Sequence, residues 1–193
     1  HRQRLVWAFD TLAKIPESTS PRFVFAHILA PHPPFVFDAD GEPRQDGGRF
    51  ALNDGSDYYG LGHTHQQYIE GYSQQVRWVT QQVQLTIQRL LHRSEDAPVI
   101  VLMSDHGPGS ALDWNSSQET NLLERFGVLH AVLLPDTDGL QLPDDLSPVA
   151  TFRLLFDLYF GRTMGPLPVR SYFSPKERPY EFEDVTDLLT SSP

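Results

Sequence analysis

Cysteine is absent from the 193 residues, which excludes disulfides, thiolate nucleophiles, thiolate zinc sites and iron–sulfur clusters together. Any bound metal must therefore sit on His, Asp or Glu. Basic residues are few: 15 Lys and Arg against 25 Asp and Glu leave a net charge of -10, which disfavours nucleic acid and anionic lipid as partners. No apolar run approaches the ~20 residues of a membrane-spanning helix, and no signal-peptide pattern opens the chain. His1, not Met, stands first, so a piece of a longer protein is expected. There is no Gly-x-Gly-x-x-Gly fingerprint, phosphate-binding loop or Gly-x-Ser-x-Gly elbow. What remains is globular in composition, 39% hydrophobic and 21% charged, with 16 Pro and 13 Gly that imply long ordered loops. The length suits a single α/β domain over 1–193.

Hydrophobic spacing predicts a first helix over residues 2–14, from Leu5, Val6, Ala8, Phe9 and Leu12. Arg22 to Ala30, almost wholly apolar and stopped by Pro31, reads as an inner strand covered on both faces. Pro31, Pro33 and Pro34 then force extended, donor-poor backbone around His32. The Gly- and Asp-rich segment to Gly62 is long enough to be functional. From about His65 to Arg93 a long helix is expected, with Tyr68, Tyr72, Val76, Val79, Val83, Ile87 and Leu90 as its apolar stripe and Gln66, Gln74, Gln81, Gln84 and Gln88 opposite. Ala97–Met103 and Gly127–Leu134 are further strand candidates. Ser147 as N-cap and Pro148 in the first turn begin a helix to Gly161. Alternating strands and helices imply an α/β fold with a mainly parallel sheet flanked by helices.

Ligands of open α/β sheets gather beyond the carboxyl ends of strands, where Ser104-Asp105-His106-Gly107-Pro108-Gly109 follows the 99–103 strand. Glycines at 107 and 109 supply a turn that lets Asp105 and His106 face one ion. A carboxylate with a neutral imidazole suits Zn²⁺ or Mn²⁺ better than Ca²⁺. An Asp that merely caps the turn beside an exposed His is the alternative. His27 and His32 could face the same end of the sheet. On strand parity His27 shares a face with Phe23, Phe25 and Leu29 and could equally be a core histidine, whereas His32 lies in a loop. His63 and His65 in a Gly-rich loop read as exposed, His130 as a packed core residue, and His92 as a complement to the helix dipole. Asp113, Trp114, Arg125 and Arg153 could reach a site or simply pair at the surface.

Taken together, the strand ending in Ser104-Asp105-His106-Gly107 and the preceding His-x4-His-Pro-Pro-Phe segment, His27 to Phe35, resemble the carboxyl-terminal half of the sulfatase-like branch of the alkaline phosphatase superfamily. That branch includes lipoteichoic acid synthases and phosphoethanolamine transferases. Membrane-anchored sulfatase-like proteins are similar in Phe23-Val24-Phe25-Ala26-His27, His32-Pro33-Pro34-Phe35, Asp105-His106-Gly107-Pro108-Gly109, Ser147-Pro148 and Thr151-Phe152-Arg153. The resemblance implies part of an alkaline-phosphatase-like fold and a metal-dependent hydrolase or transferase of phosphate or sulfate esters. In it Asp105 and His106 bind a divalent metal, Zn²⁺ or Mn²⁺, and His27 or His32 acts at the transferring group. The family's nucleophile and first metal carboxylate come from earlier segments, and Thr11, Ser18 and Ser20 do not supply an equivalent. The resemblance thus implies a fragment inactive alone, from a parent anchored by segments before His1 and working outside the cytoplasm. A noncatalytic extracellular module keeping the fold is the alternative, and a complete small metallohydrolase using His27, His32, Asp105 and His106 is a third reading.

Overall fold

Helix formation is clearest where the sequence supplies its own start signal. Thr64 caps helix α3 (His65–Arg93): its hydroxyl accepts the Gln67 amide at 3.2 Å, and the Gln67 side chain accepts the Thr64 amide at 2.8 Å, a reciprocal capping box. In the structure, a computed structural model, residues 1–15, 22–44, 51–143 and 146–190 are described. The fold is mixed α/β, and the chain forms two compact units, one of residues 1–98 with 108–110, the other of residues 99–107 with 111–193.

The first unit holds α1 (Arg2–Leu12), α2 (Ser56–Gly60) and α3. Leu5 and Phe9, four residues apart on α1, bury one stripe against α3 with Val36, Phe37 and Trp78. Phe37 stacks on Trp78 with centroids 4.0 Å apart and Phe9 meets the same indole edge-on at 5.9 Å. A second cluster joins Phe35, Tyr58 and Tyr68. The expected apolar stripe of α3 is rotated: the buried residues are Tyr68, Gly71, Gln75, Trp78 and Thr86, while Val76, Val79 and Val83 are half-buried. The period was legible, but aromatic partners from the 35–37 segment set which side turns inward.

The expected inner strand at 22–30 is not formed. These residues are extended, no strand pairs with them among the described residues, and Phe23 and Phe25 are 79% and 78% exposed. An apolar run becomes an inner strand only where neighbouring strands receive its N–H and C=O groups. Only its end, at Ile28 and Ala30, packs on the core. In the expected loop that follows, the Asp38 carboxylate accepts the amides of Asp40 at 3.0 Å and Glu42 at 2.8 Å and closes a tight turn; residues 45–50, like Ser18 and Ser20, lie outside the described residues.

The second unit contains β1 (Ile100–Met103), α4 (Leu122–Phe126), β2 (His130–Leu133), α5 (Pro148–Tyr159), β3 (Tyr172–Phe173), β4 (Glu183–Asp184) and α6 (Thr186–Thr190). The mainly parallel sheet expected from alternation is not seen among the described residues. Instead β1 and β2 pair antiparallel, from Ile100 opposite Leu133 to Met103 opposite His130, and β3 and β4 pair antiparallel. A parallel neighbour needs a long crossover covering the sheet, but α4 has five residues and packs on α6. Ser147 caps α5, its hydroxyl accepting the Ala150 amide at 3.2 Å, with Pro148 in the first turn as expected. Leu112, Phe173 and fully buried Val185 form this unit's core, and Ser117 donates to Glu183 at 2.6 Å.

Candidate functional site

The 104–109 loop begins as an extension of the β1–β2 ladder, because the Ser104 amide donates to the Leu129 carbonyl and the Leu129 amide to the Ser104 hydroxyl, both at 2.9 Å. It then turns sharply. The Gly107 amide donates to the Arg125 carbonyl at 2.7 Å while the Arg125 guanidinium donates to the Gly107 carbonyl at 3.1 Å. A Cβ at 107 would lie 1.9 Å from the Glu124 carbonyl oxygen, so this approach admits only glycine.

That turn brings the Asp105 and His106 side chains together. His106 Nδ1 lies 2.8 Å from the Gly107 carbonyl, an acceptor only, so Nδ1 carries the proton and Nε2 the lone pair. Nε2 is 3.7 Å from Asp105 Oδ2, with Asp105 exposed and His106 half-buried. Two ligands bound to one Zn²⁺ at ~2.0–2.1 Å in tetrahedral geometry lie about 3.3 Å apart, close to this separation. A histidine whose second ring nitrogen donates to a backbone carbonyl is oriented as metal ligands commonly are. The pair fits two positions of a divalent-metal ligand set, and no group of three His, Asp or Glu residues that could complete one occurs among the described residues.

His27 lies in the exposed extended segment, not in a core, which removes the reading of it as a packed core histidine. His32 is half-buried, its Nδ1 2.5 Å from the Pro33 carbonyl, so Nε2 is the nitrogen with a lone pair. Nε2 has no protein partner among the described residues. The other candidates divide by geometry. His63 stacks on Tyr58 at 4.3 Å, and the His65 ring lies 6.4 Å from that of Tyr59. His130 bridges the Leu146 carbonyl at 3.0 Å and the Thr151 hydroxyl at 2.9 Å; it is half-buried and structural. Asp113 accepts the Asn115 amide at 2.8 Å in a local turn. The Arg125 guanidinium lies 5.3 Å from the centre of the Trp114 ring. Arg153 donates to the carbonyls of Gly165 and Met164 and braces the turn after α5.

Two polar residues that the sequence reading passed over, Asp54 and Gln75, are buried in the first unit. Asp54, 2% exposed, accepts the Tyr68 hydroxyl at 2.7 Å, and that hydroxyl accepts the Gly109 amide at 2.8 Å. A Cβ at Gly109 would come within 2.6 Å of the Asp54 carboxylate. Gln75, fully buried, takes the amides of Val36 and Phe37. One signal was available: Gln75 stands seven residues after Tyr68, two helical turns along one face.

No curated protein and no solved structure matches the sequence. The sulfatase family model matches residues 1–126, well over half of the chain, and this stretch contains both the His32 turn and the Asp105-His106 loop. The chain therefore belongs to the sulfatase family.

Proposed function

We propose that this chain is the carboxyl-terminal portion of a metal-dependent sulfatase-like catalytic domain that hydrolyses or transfers a phosphate or sulfate ester, the nucleophile being supplied from another part of that domain. The observation that carries this reading is the 3.7 Å approach of Asp105 Oδ2 and His106 Nε2, with His106 Nδ1 already committed to the Gly107 carbonyl. Asp105 and His106 hold the divalent metal, Zn²⁺ or Mn²⁺, which when bound supplies Lewis-acid stabilisation of charge on the transferring group. His32 is the general acid. It acts from the doubly protonated ring: Nδ1–H stays on the Pro33 carbonyl, and the second proton, on Nε2, passes to the leaving oxygen as that oxygen takes the electron pair of its breaking bond to phosphorus or sulfur, which returns His32 to the Nδ1–H tautomer. His27, on the exposed segment, contacts a non-bridging oxygen. A parent anchored in a membrane and acting outside the cytoplasm agrees with the family resemblance; among the described residues no helix is long and apolar enough to cross a membrane.

Calorimetric titration of the chain with Mn²⁺ and with Zn²⁺ tests the assignment. Weak stoichiometric binding is expected, since two protein ligands leave most of the coordination sphere to water, and it is lost in Asp105→Ala and in His106→Ala. No turnover of an aryl phosphate or sulfate by this chain alone is expected, because positioning of a nucleophile provides much of the rate. Metal binding unaffected by either substitution, or hydrolysis abolished by Asp105→Ala, overturns the respective half of the reading.

A further inference from the structure

Pro33 and Pro34 have no amide hydrogen, so the turn that carries His32 cannot secure itself with its own backbone. Gln75, on α3, does so from outside the loop. Its Oε1 accepts two consecutive amides, Val36 at 2.6 Å and Phe37 at 3.2 Å, and its Nε2 donates to the His32 carbonyl at 3.2 Å. The side chain is 0% exposed. A carboxamide is the one neutral side chain of this reach with both an acceptor oxygen and donor hydrogens, and here it spans the proline pair by joining the residue before it to the residues after it. One helical turn earlier, Gly71 makes room for the loop: a Cβ there would fall 2.2 Å from the Phe35 ring. Phe35 is in turn set edge-on against Tyr58, Tyr68 and Tyr72.

We infer that Gln75 is a positioning residue for His32: by holding the His32 carbonyl and the 36–37 amides to a rigid helix, it keeps the Pro33 carbonyl under His32 Nδ1 and so presents Nε2 outward as the reactive nitrogen. That the presented nitrogen acts on an ester rests on the function proposed above. The hold itself does not.

The two are separated by imidazole ¹H–¹⁵N correlation spectra of the labelled chain, recorded where imidazoles are neutral. In the wild type His32 is expected wholly as the Nδ1–H tautomer. Gln75→Glu still accepts from Val36 and Phe37 but sets a carboxylate against the His32 carbonyl, and Gln75→Met gives up all three bonds. Both are expected to move His32 toward a mixture of tautomers while His63 and His130 keep their wild-type signals. In Gln75→Met the Val36 and Phe37 amides are also expected to exchange about tenfold faster, the equivalent of one lost hydrogen bond. An unchanged His32 tautomer in folded Gln75→Glu overturns the inference. So does collapse of the His63 and His130 signals in both variants, which makes Gln75 a packing residue only. Inorganic phosphate and sulfate, added to the wild type at a lower pH where the imidazoles are protonated, are expected to shift the His32 Nε2–H signal. If neither does so while the tautomer still responds to Gln75, the ester reading fails and the positioning role stands.

Discussion

Single residues decide whether the Asp105-His106 turn exists. Gly107 has no Cβ to place against the Glu124 carbonyl, and its two backbone bonds to Arg125 lock the loop onto α4. Gly107→Ala is expected to cost about 3 kcal/mol or more, because the obstacle is backbone and not a movable side chain; the midpoint of urea unfolding reads it, together with loss of metal binding. Gly109 meets a different obstacle, the Asp54 carboxylate. That carboxylate is itself committed to Tyr68 and to the Gly55 amide, so it has little freedom to withdraw. His106 shows how one hydrogen bond fixes a tautomer: the Gly107 carbonyl takes the Nδ1 proton, and Nε2, 3.7 Å from Asp105 Oδ2, keeps the lone pair.

Elements matter through their faces and ends. α3 carries Tyr68, Gly71, Gln75 and Trp78 on one side, and each meets a different part of the first unit: Asp54 and Gly109, the Phe35 ring, the His32 turn, and α1. The helix is thus a template for loops that lack regular structure of their own. Its N-terminal box is exposed, so Thr64→Ala is expected to destabilise by about 1 kcal/mol without altering the tautomer of His32, as thermal unfolding and imidazole spectra together show. The long helix and the Ser147-Pro148 start of α5 were legible beforehand, since they depend on residues within a turn of one another, whereas the Thr64 cap was seen only in the fold. The burial of Gln75 was not, since its partners are backbone groups some forty positions away, at His32, Val36 and Phe37.

Stability against pH is a property of the whole folded chain, and Tyr159 contributes to it on the alkaline side. Burial, with the Asp136 carboxylate adding to it, holds this phenol above its ordinary value of 10.0, and its hydroxyl donates to the Pro135 carbonyl at 2.7 Å. The unfolded chain therefore loses this proton at a lower pH than the folded one does. The contribution is complete below pH 10.0 and is lost as pH rises through the higher folded value. Melting temperature is expected to fall as pH rises above 10.0, and to fall less in Tyr159→Phe, which has no phenolic proton to lose.

At the same scale, local and non-local information part company. Apolar runs at 99–103 and 127–134 identified the cores of β1 and β2, glycines at 107 and 109 identified a turn, and the residues able to bind metal were confined to His, Asp and Glu from the outset. These are consequences of composition and of spacing along a few residues. The sequence could not settle which strands pair or in which direction, because a ladder is made with residues distant in the chain. The same limit left Arg22–Ala30 looking like an inner strand, when an apolar run without a neighbouring ladder is only extended chain. Tertiary packing alone decided that β1 meets β2 antiparallel and that α3 turns its Gln75 side inward onto the His32 turn, because the groups that meet there lie far apart along the chain.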